Sequence, residues 1–321
     1  MPPVAAVLVN PRAGGLIHRD AAAVGVGLRR ILEGAGYRLA ACSVTHEVEA
    51  ALDALLAGQA LDLLVVAAGD GTVRAAAERL MESETALAIL PAGTFNLLAR
   101  DLGVPHEIDA AIEALPASTR ERIDAARVNG ELFLSACAFG LGAEACELRE
   151  QVRAADLTEW PETVFDAARR FVGARPIAMR IDNGRRRFTC HSHAVFVANG
   201  AFRRSGLQLM RRESLASGHL ALYAQPEPNR WQALRTLIHS RFGGFREHEV
   251  VDEALTTLTI ETRPTTVLAT IDGELEELHS PLVFGVARGA LTVLRPAAVE
   301  LSRGSDRAAR PSAPATGAGS A

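Results

Sequence analysis

Along the first third of the chain, short unbroken apolar runs alternate with longer stretches whose apolar residues recur every three to four positions. Residues 4–9, 37–44, 61–68 and 86–90 are runs of the first kind and are predicted strands buried on both faces. Stretches near 21–32, 46–56 and 73–81 have the longer period and are predicted helices, the first stopped by Gly34 and Gly36. Strands and helices alternating at this spacing build a parallel sheet covered on both faces. The loops at the carboxyl ends of its strands then form the ligand crevice. Three Gly- or Pro-bearing loops follow the first, third and fourth strands, so they share that edge.

Beyond about residue 127 the texture changes to short β-branched runs. Strands are predicted over 132–139, 177–181, 188–198, 220–224, 256–261 and 267–271, with helical stretches near 163–172 and 231–242. Asn183-Gly184, between two strands, predicts a type I′ hairpin turn with positive φ at both residues. The organisation expected is an α/β nucleotide-type domain over 1–126 and a β-sandwich-like domain over 127–301, with the final strands free to return to the first domain. Residues 302–321 are Ala, Ser, Pro, Gly and Arg without periodicity and are expected to be disordered.

At 321 residues, 48% hydrophobic and 22% charged, the chain has room for two packed cores. Its formal net charge of −4 argues against a general nucleic-acid partner, which needs a basic face. No run of about 18 apolar residues is present, so no transmembrane helix is expected. The first residues lack a secretory pattern, and the four cysteines form no CxxC pair, which favours a reducing cytoplasm. All 34 positions that carry Lys or Arg carry Arg. That excludes every chemistry built on a lysine, including the Walker and protein-kinase lysines.

Gly69-Asp70-Gly71-Thr72 lies at a strand-to-helix junction. Glycines there let the backbone approach a phosphate, and the helix amino end supplies N–H donors. A plain turn with an Asp or Thr cap is the competing explanation. Asn10-Pro11-Arg12-Ala13-Gly14-Gly15 and Pro91-Ala92-Gly93-Thr94-Phe95-Asn96 are loops of the same kind on the same edge, and three together are hard to explain as separate turns. Gly140-Leu141-Gly142-Ala143-Glu144-Ala145 spells a dinucleotide fingerprint but lacks the acidic strand about 20 residues on, so a NAD-dependent dehydrogenase is a distant alternative. His191 and His193 sit two apart on a predicted strand with no third ligand, and read as a solvated face. Arg185-Arg186-Arg187 extends a hairpin and would suit solvent or anionic lipid headgroups.

Together the three loops resemble the motifs of the diacylglycerol kinase catalytic domain family, which includes sphingosine and ceramide kinases and is related in fold to NAD kinases. The resemblance continues from Asn96 through Gly103 and at Ile271-Asp272-Gly273-Glu274. It implies a NAD kinase-like parallel α/β domain, a β-sandwich-like second domain and a site between them. It further implies a phosphotransferase that uses ATP and Mg2+, with a lipid acceptor such as diacylglycerol, acting in the cytoplasm at a membrane surface, and it allows a homodimer. On this reading Asn10, Gly69, Asp70, Gly71, Thr72, Gly93, Thr94 and Asn96 hold the nucleotide, Asp70 acts through the metal, and Asp272 and Glu274 are catalytic. Asp272 would take the acceptor proton, and Arg19 or Arg100 would stand in for lysine. The chain departs from the family at Ala68, at Arg74-Ala75, and at Ser217, where bacterial members carry an aspartate that helps hold a structural magnesium. A NAD kinase-like enzyme and a catalytically silent nucleotide-binding protein remain open alternatives.

Overall fold

A computed structural model describes residues 1–141, 143, 175–202, 212–224 and 250–297. The helices expected near 163–172 and 231–242, the tail 302–321, and Gly142, Glu144 and Ala145 of the fingerprint lie outside the described residues.

The first domain runs β1 (Val4–Val9), α1 (Ala21–Gly34), β2 (Arg38–Val44), α2 (Val48–Ala57), β3 (Leu63–Ala68), α3 (Asp70–Leu80), β4 (Ala86–Pro91), α4 (Leu97–Leu102) and α5 (Ile108–Ala114). The strands lie parallel in the order β2-β1-β3-β4. Alternate residues of β1 and β3 feed two separate cores. Val7, Val9 and Val65 meet Val24, Leu28 and Leu32 of α1 on one face. Leu8, Leu64 and Val66 meet Leu52 of α2 and Val73, Ala76 and Leu80 of α3 on the other. Helices on both faces leave no wet side, so these strands are apolar at every position. Asp20 starts α1 by accepting the N–H groups of Ala22 and Ala23.

The rest of the described chain is β5 (Thr119–Val128), β6 (Glu131–Phe133), β7 (Ala136–Gly140), β8 (Ile177–Asp182), β9 (Arg187–Ser192), β10 (Ala194–Asn199), β11 (Leu220–Ala224), β12 (Val250–Leu255), β13 (Thr257–Arg263), β14 (Thr266–Ile271), β15 (Glu274–His279) and β16 (Leu282–Arg295). β16 returns to the first domain, lying parallel to β4 through Val293 and Leu87, and carries the sheet on to β13, β8 and β9. β5 pairs with β16 along most of its length and crosses the expected boundary at residue 126 without a break. A six-stranded sheet, β12-β11-β10-β7-β14-β15, faces this extension. Phe139, Val195, Val197 and Leu222 from one sheet and Ile181, Ile260 and Phe284 from the other fill the space between, a sandwich core. Phe133 meets Phe284 edge to face at 6.3 Å.

Three local expectations need correction. The strand expected over 132–139 is two strands, because the N–H groups of Leu134, Ser135 and Ala136 turn out of the ladder to Asp272. The strand expected over 188–198 breaks at His193, whose carbonyl accepts Leu141 N–H; His193 is buried and His191 exposed, so they share no solvated face. Asn183-Gly184 belongs to a longer loop in which only Gly184 has positive φ, and Asn183 Oδ1 accepts the N–H groups of Arg185 and Arg186. Two-residue turns with both φ positive occur instead at Asn129-Gly130 and Asp272-Gly273, the latter joining β14 to β15 with Ile271 opposite Glu274.

Candidate active site

β1, β3 and β4 end side by side, and short backbone contacts lock their loops together. Asn10 N–H reaches Ala67 O at 3.0 Å, Ala92 N–H reaches Ala68 O at 3.1 Å, and Gly15 N–H reaches Ala92 O at 2.7 Å. Gly69 and Gly93 meet back to back, where a Cβ on Gly93 would stand 2.6 Å from the Gly69 Cα. Gly71 faces the Glu274 carboxylate so closely that any Cβ there would overlap it. The Asp272-Gly273 turn is thus brought against loops from the start of the chain, with Phe95 packed on Gly273.

These segments enclose a cavity of about 330 Å3. Asn10, Gly69, Asp70, Gly71, Thr72, Gly93, Thr94, Asp272 and Glu274 line it, together with Arg12, Gly14, Ile17, Phe95 and Gly273. Asn96 does not. It is buried with φ +49, and its amide accepts Gly93 N–H at 2.7 Å and donates to Gly93 O at 2.9 Å. It shapes the loop from behind. Arg19 pairs with Asp109 instead of entering the cavity, and Arg100 is exposed on α4 away from its lining. Among the described residues the cation that lines the cavity is Arg12, from the first glycine-bearing loop. Its position in that loop was the available signal.

α3 points its amino end at the cavity, and its cap residue, Gly69, has no side chain to cap it. Its first-turn N–H groups and dipole suit a phosphate. Thr72 does not cap the helix; its hydroxyl accepts from Asn10 Nδ2 at 3.4 Å. Asp70 does more than a metal-linked acid requires. Its two carboxylate oxygens accept the N–H groups of Asn96 and Leu97, each at 2.7 Å, so it caps α4 and clasps two of the loops together. Burial pushes its carboxyl up to about 6, and the charges of Asp272 and Glu274 add to the rise. The folded protein therefore binds more protons here than the unfolded chain between about pH 4 and 6. The stability this group contributes is complete in acid and is lost as pH rises through about 6. A 13C-carboxyl titration is expected to show an Asp70 midpoint near 6, and a midpoint near 4 would refute the environment described.

Asp272 sits at φ +51 and is buried. Its Oδ1 accepts from Ser135 at 2.7 Å and Ala136 at 3.1 Å, and Oδ2 accepts from Leu134 at 2.7 Å. Burial raises its pKa, while these three bonds and the charge of Arg212 oppose the rise. Glu274 is half exposed and lies 3.6 Å from Arg74 on α3, which also bonds Glu276 at 3.0 Å. Arg74, where the family pattern differs, is thus an ionic tie between α3 and β15. Ala68, the other departure near this loop, is absorbed in the core.

The donors present suit nucleotide phosphates. For a divalent ion, three acidic groups face one cavity, but no three His, Cys, Asp or Glu among the described residues cluster closely enough to enclose an ion. Asp70, Asp272 and Glu274 are the carboxylates that would hold such an ion, and a magnesium there would supply neutralisation of phosphate charge. At the family's structural-metal position Ser217 offers a hydroxyl in place of a carboxylate, a weaker ligand for a hard cation. Its Oγ turns to the His219 backbone, and the nearby Asp124 accepts Gly218 and Gly289 N–H groups, one on each oxygen. Gly140 of the fingerprint has φ +74 and a Cβ there would overlap the His193 carbonyl, so its glycine is explained by packing.

The family described as "Diacylglycerol kinase catalytic domain" matches residues 4–128. A "Probable lipid kinase YegS-like" of Pseudomonas aeruginosa is 46% identical over 94 residues, 29% of this chain and 30% of that protein. A "Diacylglycerol kinase" of Bacillus subtilis is 31% identical over 144 residues, 42% of this chain and 45% of the other. The matches thus span under half the length of these relatives. A crystal structure of a diacylglycerol kinase from Bacillus anthracis str. Sterne superposes over 92% of this chain and 97% of its own with a TM-score of 0.67 at 20% identity, a likeness of fold. The three loops, the cavity they frame and these matches agree over one stretch: residues 4–128 match the model of the diacylglycerol kinase catalytic domain family.

Proposed function

We propose that the chain is an ATP-dependent lipid kinase that transfers a phosphoryl group to the hydroxyl of diacylglycerol or a similar lipid. The observation that carries this reading is the meeting, in one cavity, of a glycine-capped helix amino end and a buried carboxylate from a distant hairpin. Phosphoryl transfer is largely positioning and charge neutralisation, which is what such a cavity supplies. The N–H groups of Gly71 and Thr72 and the Thr94 backbone and hydroxyl hold the phosphates, Gly93 lets its loop come close, and Asn10 and Arg12 stand at the side. Asp70 would hold a magnesium ion, directly or by water, and the ion would supply neutralisation of phosphate charge. Asp272 Oδ2 carries only one N–H donor, so it has a lone pair for the acceptor hydroxyl's proton. Its buried setting keeps it more basic than an ordinary carboxylate. Glu274 lies against Gly71, beside the transferring group.

Access by a lipid is supported at the cavity mouth. Ile17 lines the cavity yet is 60% exposed, and Arg12, also in the lining, is exposed. An exposed apolar side chain with a basic one suits the edge of an anionic membrane. Among the described residues no helix is long and apolar enough to cross a membrane, so this reading has the chain meet the membrane from one side, at the cytoplasmic surface.

The test is ATP consumption with dispersed diacylglycerol, sphingosine, ceramide and NAD as separate acceptors. Turnover with a lipid alcohol is expected. Turnover with NAD alone would instead establish a NAD kinase-like enzyme, and ATP binding with no turnover on any acceptor would establish a silent binding protein.

A further inference from the structure

We propose that Arg212, anchored by Asp101, is a positioning residue for Asp272 that acts through the single peptide group joining Leu134 to Ser135. This rests on the reading of Asp272 as the proton acceptor. The Arg212 side chain is fully buried and Asp101 is 5% exposed. Arg212 Nε donates to Asp101 Oδ2 at 2.7 Å and its backbone N–H donates to Oδ1 at 3.2 Å. Its Nη1 donates to Leu134 O at 2.5 Å and Asn199 O at 3.0 Å. Leu134 O also accepts Asn199 Nδ2 at 3.1 Å. That carbonyl and the Ser135 N–H belong to one peptide group, and the N–H donates to Asp272 Oδ1 at 2.7 Å. Two donors on its oxygen, one of them cationic, fix the plane of this peptide and polarise the N–H that Asp272 accepts.

Asp101 lies in the last turn of α4, the helix whose amino end is held by Asp70. A continuous strut thus runs from Asp70 in the phosphate loop, along α4, through Asp101 and Arg212, to the peptide that seats Asp272. A buried ion pair of this kind is weak evidence for stability, because desolvation offsets the attraction. Its geometry accounts for it better as a device that keeps the two halves of the cavity in register.

The experiment replaces the pair by apolar residues, Asp101→Leu with Arg212→Met, a change that often leaves stability intact or raises it. Three quantities are read: melting temperature, ATP affinity, and turnover on dispersed diacylglycerol. We expect ATP affinity within about threefold of wild type and kcat lower by about 10- to 100-fold, the scale of a small misplacement of a reacting group. Amide exchange should also quicken at least tenfold at Ser135 and stay unchanged in β10. A purely structural pair predicts full kcat once the melting temperature is restored. Full kcat with unchanged Ser135 protection would overturn the proposal. If the double variant does not fold, Arg212→Lys, which offers a point charge in place of the fork, is read the same way. Faster Ser135 exchange in a folded variant supports the strut even if wild-type protein phosphorylates nothing, and that result would count against the kinase reading alone.

Discussion

Asp272→Asn is expected to lower lipid phosphorylation by about 10²- to 10⁴-fold while leaving ATP affinity nearly unchanged. The range is that of removing a general base. The proposed nucleotide contacts lie on the loops after β1, β3 and β4, so loss of the carboxylate charge across the cavity should not weaken them. The structure adds a second effect. Asp272 accepts three backbone N–H groups through both oxygens. An asparagine offers one acceptor oxygen and must turn its NH2 towards at least one of those donors. A buried donor left without an acceptor costs about 1–3 kcal/mol. The variant should therefore melt earlier as well as react slowly, and rates must be compared well below its melting temperature. Wild-type turnover in the folded variant would remove Asp272 from the chemistry.

Gly93→Ala is expected to abolish measurable ATP binding or to prevent folding, whereas Gly71→Ala should fold and lose turnover. The two glycines differ in what they face. A Cβ at Gly93 would meet the Gly69 Cα at 2.6 Å and Asn96 Oδ1 at 3.0 Å. Neither can retreat, since Gly69 continues β3 and Asn96 is tied to Gly93 at both ends of its amide. Overpacking of this sort costs about 1–3 kcal/mol or more, and here it lands on the phosphate loops. At Gly71 the opposing group is the end of the Glu274 side chain, half exposed and able to swing away. Isothermal titration with ATP separates the cases. Normal ATP affinity in Gly93→Ala would show that the loops tolerate separation.

The parallel domain was legible because β1, β3 and β4 are buried on both faces, and burial of that kind leaves an unbroken apolar run. The cavity-lining loops were legible because close backbone approach needs glycine, and Gly69, Gly71 and Gly93 advertise it. Asn96 was ambiguous for a related reason: a polar side chain in a glycine loop serves equally well to bind a ligand or to fold the loop, and composition does not distinguish them. The double break at Leu134 and His193 was not legible. Leu134 sits in an apolar run that satisfies strand periodicity, and only the distant Asp272 draws its N–H out of the ladder. Arg212 was equally hidden, since a buried arginine has the same letter as an exposed one. The Asp272-Gly273 pair carried both meanings at once, a turn signal and a carboxylate aimed at the cavity.

β16 has a consequence for how the protein is made. It lies between β4 and β13, and its Val293 is the neighbour of Leu87. During synthesis the N-terminal half leaves the ribosome with β4 as an open apolar edge, some two hundred residues before its partner emerges. Such an edge invites pairing with other chains, and contacts this distant in sequence form slowly. The first domain is therefore expected to need a holding chaperone until residue 295 has emerged, and its expression as a separate fragment over 1–126 should yield aggregates. Function in this architecture waits for the last strand.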